Sequence, residues 1–148
     1  MAGQTVAIAS DHAGFTLKSM LRADLEADGY TVLDLGTDGP DSVDYPDFGY
    51  ALANAIADGK AEKGVLVCGS GIGISIAANR NPAVRAAVVT NALTAQLARQ
   101  HNDANVVCFG ERLVGSEIAR DAMKVFLETE FEGGRHAKRV DKLSKPQT

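Results

Sequence analysis

Residues 64–76 read GVLVCGSGIGISI. The run Gly64 to Cys68 is apolar without polar alternation, as a strand buried on both faces would be. Three glycines in alternation follow with a serine among them, and Ile72 to Asn79 reads as a short helix. Strand, tight glycine turn and helix in that order predict one βα unit of a parallel sheet.

The same unit recurs on both sides. Val6-Ala7-Ile8-Ala9 reads as a first strand, and Leu17, Met20, Leu21 and Leu25 recur at helical spacing up to Gly29. Tyr30 to Leu35 reads as a second strand. Pro46 opens a helix whose buried face carries Phe48, Leu52, Ala55 and Ile56, with Gly59 after it. Beyond the quoted stretch, Val84 to Val89 and Asn105 to Phe109 read as strands four and five. Leu93 and Leu97 mark a helix reaching Asn102, and Ser116 to about Glu130 the last long one. Strands rich in Val and Ile between helices predict a single-domain three-layer α/β/α sandwich, Rossmann-like, over a five-stranded parallel sheet. Residues 131–148 differ: Arg135, Lys138, Arg139, Lys142 and Lys145 follow a glycine pair and few core candidates, which reads as a basic, solvated tail.

Composition limits the partners. With 148 residues the chain is one domain long enough to bury roughly 70% of its unfolded surface without a staple. Its formal net charge of -4 gives no reason to expect nucleic acid or a membrane surface as partner. The N-terminal MAGQTVAIAS does not read as a signal peptide, and no apolar run approaches about 18 residues. The expectation is a cytoplasmic protein with reduced thiols. Cys68 and Cys108 form no C-x-x-C pair, and the three histidines show no ligand spacing, so no metal site is expected.

Ligands of open α/β sheets bind beyond the carboxyl ends of the strands. That rule collects Asp11 and His12 after strand one, Asp44 and Tyr45 after strand two, and Cys68 with Gly69, Ser70, Gly71 and Gly73 after strand three. Arg112 follows strand five. The glycine turn is not a dinucleotide fingerprint: Ile74 stands where its third glycine belongs, and the turn follows the third strand rather than the first. No Gly-Lys-Ser/Thr follows, so it is not a Walker loop either. What remains is a nest of backbone N–H groups at a helix start, suited to any anion, a developing oxyanion included. A tight turn needing small residues is the bland alternative.

A cysteine ending a buried strand is usually a small hydrophobe, and Cys108 between Val107 and Phe109 fits that. Cys68 differs in lying where a helix N-terminus favours thiolate, which makes it a candidate base or nucleophile. His101 continues the Leu93–Leu97 stripe at i+4 steps, so it reads either as a core histidine or as a group at the end of its helix. Arg135 and Arg139, four apart, would share one helical face and suit one phosphate.

The segments SDHAGFTLK, DYPD, CGSGIGISIAANR, ARQHNDANV, FGER and EGGRH together resemble the B-type ribose-5-phosphate isomerases, a family that includes galactose- and allose-6-phosphate isomerases. The resemblance covers nearly the whole chain in order. It implies aldose–ketose isomerisation of a sugar phosphate through a cis-enediolate, without metal or organic cofactor. It implies Cys68 as the base, Gly69 to Gly73 as the enediolate hole with Ser70 beside the base, and His101 as the acid/base of ring opening. By the same resemblance Asp11 and Tyr45 contact sugar hydroxyls, His12 lies close to the substrate, Asn102 serves the enediolate side, and Arg112, Arg135 and Arg139 hold the phosphate. One subclass of that family uses a carboxylate six positions after the cysteine; here that position is Ile74, which leaves Cys68 as the base. A homodimer, or a pair of dimers, with sites built from both subunits is implied too, with the basic tail packing on the partner. A small nucleotide-binding α/β module is the non-enzymatic alternative, and a thiol redox protein a weaker one.

Overall fold

A computed structural model describes residues 3–147. Five parallel strands form one sheet: β1 (Thr5–Ser10), β2 (Thr31–Asp34), β3 (Lys63–Cys68), β4 (Ala86–Val88) and β5 (Val106–Gly110). The helices are α1 (Phe15–Ala27), α2 (Tyr45–Ala57), α3 (Ile72–Ala78), α4 (Ala92–Asn102), α5 (Ser116–Glu128) and α6 (Ala137–Leu143). Short 3₁₀ turns at His12–Gly14 and Gly134–His136 lead into α1 and α6. The sandwich expected from the sequence is therefore present, with strands two and four shorter than the apolar runs suggested.

The strand order is β2-β1-β3-β5-β4. From β1 the chain first steps outward to β2, then returns to place β3 on the other side of β1. The order reverses between β1 and β3, so the crevice at their carboxyl ends is where this architecture admits a ligand. Val6 to Ala9 and Val65 to Val67 are fully buried because helices cover both faces. α1, α4 and α5 pack on one face over Ile8, Val65, Val67 and Phe109; α2 and α3 pack on the other over Ala9, Leu66 and Cys108.

Two expectations change. The Leu93–Leu97–His101 stripe of α4 does not face the core. Leu93 is 61% and Leu97 40% exposed, while Ala95, Ala98 and Arg99 form the inner face. Helical spacing marks a common face but not what covers it, and small residues inside let α4 lie close to α5. The tail, read as solvated, docks on its own chain instead. Val140 and His136 are buried, the Glu132 N–H donates to the Gln100 carbonyl at 3.1 Å, and Arg85 donates to Ser144 Oγ at 3.3 Å.

Candidate active site

The glycine turn meets the carboxyl end of β5. Gly71 has φ +77°, and a Cβ there would lie 2.9 Å from the Phe109 carbonyl carbon. At Gly110 a Cβ would lie 2.5 Å from the Ser70 carbonyl carbon. A Cβ on Gly73 would strike the Tyr45 ring at 2.5 Å, and one on Gly69 would sit 3.1 Å from Arg112 Nη1. The glycines therefore serve packing. They bring Tyr45 and the Arg112 guanidinium directly onto the turn.

Cys68 closes β3 at 4% exposure. The Gly71 N–H donates to its Sγ at 3.1 Å, which aims the positive end of a backbone dipole at the sulfur. Ser70 Oγ accepts from the Ile72 N–H at 3.2 Å. The N–H groups of Ser70, Gly73 and Ile74 have no hydrogen-bond partner among the described residues. Donors without partners at the start of a helix are what an oxyanion requires. Ile74 itself is wholly buried in the α3 core face. Cys108 lies behind Cys68, fully buried; burial, then the neighbouring Cys68 charge, pushes its pKa far up and leaves it an inert thiol.

The β1 and β2 loops complete this edge. Asp11 is buried and accepts the Gly14 N–H at 3.0 Å, capping the 3₁₀ turn that follows. His12 Nδ1 accepts the Val43 N–H at 3.1 Å, so the neutral ring carries its proton on Nε2. The loop after β2 is laced to Ser10: the Ser10 N–H donates to Gly36 O, and the Thr37 N–H to Ser10 O, both at 2.8 Å. Lys18, only 2% exposed, holds that loop from below, donating to Asp34 and to the Thr37 carbonyl at 2.8 Å each. Burial alone would raise the Asp34 pKa. Lys18, the Gly36 N–H and Arg22 outweigh it, and the net shift is downward. Glu111 accepts the Leu17 N–H at 2.7 Å and ties α1 to the residue before Arg112.

The remaining residues expected at the site lie elsewhere. A helix between parallel strands runs back along the sheet, so the end of α4, with His101 and Asn102, sits where β5 begins. Val106 pairs with Gly64 and Gly110 with Cys68. Four steps of about 3.3 Å put the two edges roughly 13 Å apart along the sheet. Within one chain, then, Asp11, His12, Tyr45, Cys68, the glycine turn and Arg112 come together. His101 and Asn102 do not join them, and the tail that carries Arg135 and Arg139 packs against the end of α4.

That second group has its own order. The His101 and His136 rings stack at 4.4 Å between centroids and 14° between planes. Glu132 Oε1 lies 3.7 Å from His136 Nε2 and 4.0 Å from His101 Nε2. Burial, then the neighbouring His101 and Arg135, lower the His136 pKa. Arg135 and Arg139 stay exposed on consecutive helical turns. Asp103, with φ 46°, ends α4 in the left-handed region and accepts from Arg99 at 2.8 Å and Arg85 at 3.4 Å. His136 and Glu132 lie too far along the chain for spacing to link them to His101, and Asp103, two residues after it, shows its role only where the fold brings Arg85 to it. The local hints were that Glu132 and His136 stand four apart and that His136 follows Arg135. A groove of about 880 Å³ between α1 and α5, lined by Asp24, Lys63, Arg120 and Glu128 among others, contains none of the site residues.

A profile described as "Ribose/Galactose Isomerase" matches residues 6–143. The chain belongs to the ribose/galactose isomerase family. It is 44% identical over 139 residues to ribose-5-phosphate isomerase B of Escherichia coli, covering 94% of this chain and 93% of that one. The solved structure of Clostridium thermocellum ribose-5-phosphate isomerase B superposes with a TM-score of 0.95 at 48% identity, covering 96% of both chains. That of the Trypanosoma brucei type B enzyme gives 0.92 at 44% identity, covering 98% of this chain and 99% of that one. The protein is thus an enzyme of the isomerase class, and the family resemblance in the sequence holds over the whole domain. Among the described residues no helix is long and apolar enough to cross a membrane.

Proposed function

We propose that this isomerase interconverts ribose 5-phosphate and ribulose 5-phosphate through a cis-enediolate. Cys68 takes the proton from one carbon and returns it to its neighbour. The unpartnered N–H groups of the glycine turn hold the oxyanion as it forms, with Ser70 beside the base. A proton alpha to a carbonyl is weakly acidic, and in comparable sites one oxyanion donor is worth about 3–4 kcal/mol. The carrying observation is the 3.1 Å Gly71 N–H to Cys68 Sγ contact beside donors with no partner of their own. A base and an anion hole adjoin there.

His101 opens the furanose ring, Asn102 serves the enediolate side, Asp11 and Tyr45 meet sugar hydroxyls, and His12 offers its Nε2–H close by. Arg112, Arg135 and Arg139 bind the phosphate. Since Cys68 and His101 lie at opposite edges of one sheet, the complete site takes the first group from one chain and the second from another. Exposed apolar side chains support a homodimer. Leu93 and Leu97 on α4, with Ile72 and Ile76 on α3, stand exposed on the helices around edge strand β4. The basic tail then reaches the partner's glycine turn while its base stays docked on its own α4.

Turnover of ribose 5-phosphate, allose 6-phosphate and free ribose by the same preparation tests this reading. Preference for ribose 5-phosphate is expected. Preference for the six-carbon phosphate would change the substrate, and equal turnover of free ribose would remove the phosphate site. Retention of a nucleotide without any isomerisation would favour the nucleotide-binding alternative.

A further inference from the structure

His101, Glu132 and His136 present one ligand atom each within 4.8 Å of one another. The groups come from two segments, the end of α4 and the tail, which only the fold brings together. Among the described residues neither imidazole makes a hydrogen bond, and Glu132 stands at 3.7 and 4.0 Å, too far to accept one. Those gaps are close to the separation of about 3.4 Å that ligand bonds of about 2.0–2.1 Å give across a tetrahedral ion. Two imidazoles and a carboxylate are also a donor set that borderline divalent metals accept in open sites, with solvent in the fourth position.

We propose that His101, Glu132 and His136 form a site for a borderline divalent transition metal such as Zn²⁺ or Co²⁺, and that its occupancy inhibits the enzyme by capturing His101. The stacked rings must splay for both Nε2 lone pairs to meet one ion. The His101 side chain, 39% exposed, and Glu132, half exposed, have room to turn, whereas the buried His136 is the fixed member. The metal would also fasten the tail to α4. Inhibition rests on the ring-opening role of His101; binding does not.

The full-length protein in metal-free buffer is titrated with Co²⁺ and followed by its visible d–d bands, with Zn²⁺ as competitor. One Co²⁺ per chain without a thiolate charge-transfer band is expected. Affinity should fall at least about tenfold in Glu132→Gln and in His136→Asn, each checked by circular dichroism. Glu132 is exposed, so its variant keeps the test alive if His136→Asn misfolds. Zn²⁺ should inhibit the parent, and each variant, compared with its own metal-free rate, should resist it. Absent binding, unchanged affinity in Glu132→Gln, or a thiolate band pointing to Cys68 would overturn the site. Binding that follows the variants in a protein that isomerises no sugar phosphate would uphold the site and overturn the proposed function instead.

Discussion

The two edges of the sheet are built differently. At the carboxyl edge the groups are held by backbone: Gly73 leaves no room for a methyl beside the Tyr45 ring, Arg112 packs closely on Gly69, and Cys68 accepts a backbone N–H. At the other edge His101, Arg135 and Arg139 stand on exposed surface, ordered only by the His101–His136 stack and the docked tail. On the proposed reading the first edge carries the base and the anion hole, and the ring-opening His101 lies away from it. The second carries an imidazole pair and exposed arginines, which the same reading assigns to ring opening and phosphate binding. Such halves are complementary without being complete, and a two-fold axis is the simplest operation that joins them.

Removing the proposed base tests the first half. Cys68→Ala should lower the rate of proton transfer about a thousandfold with the fold intact, read as solvent-isotope exchange into the sugar. Near-normal exchange would place the base elsewhere. The sharpest test of the comparison mixes two inactive proteins. Cys68→Ala and His101→Asn, unfolded and refolded together, should recover about a quarter of the native sites if each site takes one half from each chain. No recovery would mean that each chain works alone.

A packing variant probes the first half without touching the second. Gly71→Ala meets both a left-handed backbone and the Phe109 carbonyl, and should cost about 1–3 kcal/mol in denaturant unfolding. Unchanged stability would show that the turn relaxes freely. Arg139→Ala should raise KM for the phosphorylated sugar about tenfold while kcat stays near its native value. An unaltered KM would take Arg139 out of the phosphate site.

The smallest effect is in pH. The folded pKa of His136 is lowered, so between the unfolded value of about 6.5 and the lower folded one the unfolded chain binds the proton and the folded chain does not. Stability is therefore fully present above that window and falls on acidification through it. His136→Asn should flatten that slope. Asp34 acts lower on the scale: its depressed pKa adds stability above the unfolded carboxylate value of about 3.9, lost as pH falls through the folded value.

The glycine turn was legible because strand, turn and helix are each written locally, and so was the sequence of elements around the sheet. Gly73 and Gly69 had a further reason that the sequence hides, since the atoms they admit come from Tyr45 and Arg112, far along the chain. The Leu93–Leu97–His101 stripe misled for a different cause. Periodicity reports that a face is apolar, and an exposed apolar face has the same period as one that meets the core. The distance between Cys68 and His101 follows from the return direction of α4, a property of topology that no spacing records.

Asp103 bears on how this family member could diverge. It occupies a backbone conformation that glycine would adopt at less cost, yet its carboxylate anchors Arg99 and Arg85 just after His101 and Asn102. The end of the helix that carries His101 is therefore anchored by a charge cluster outside the proposed sugar contacts. Evolution or design could re-aim that histidine by altering this outlying charge cluster, leaving the chemistry of both half-sites untouched.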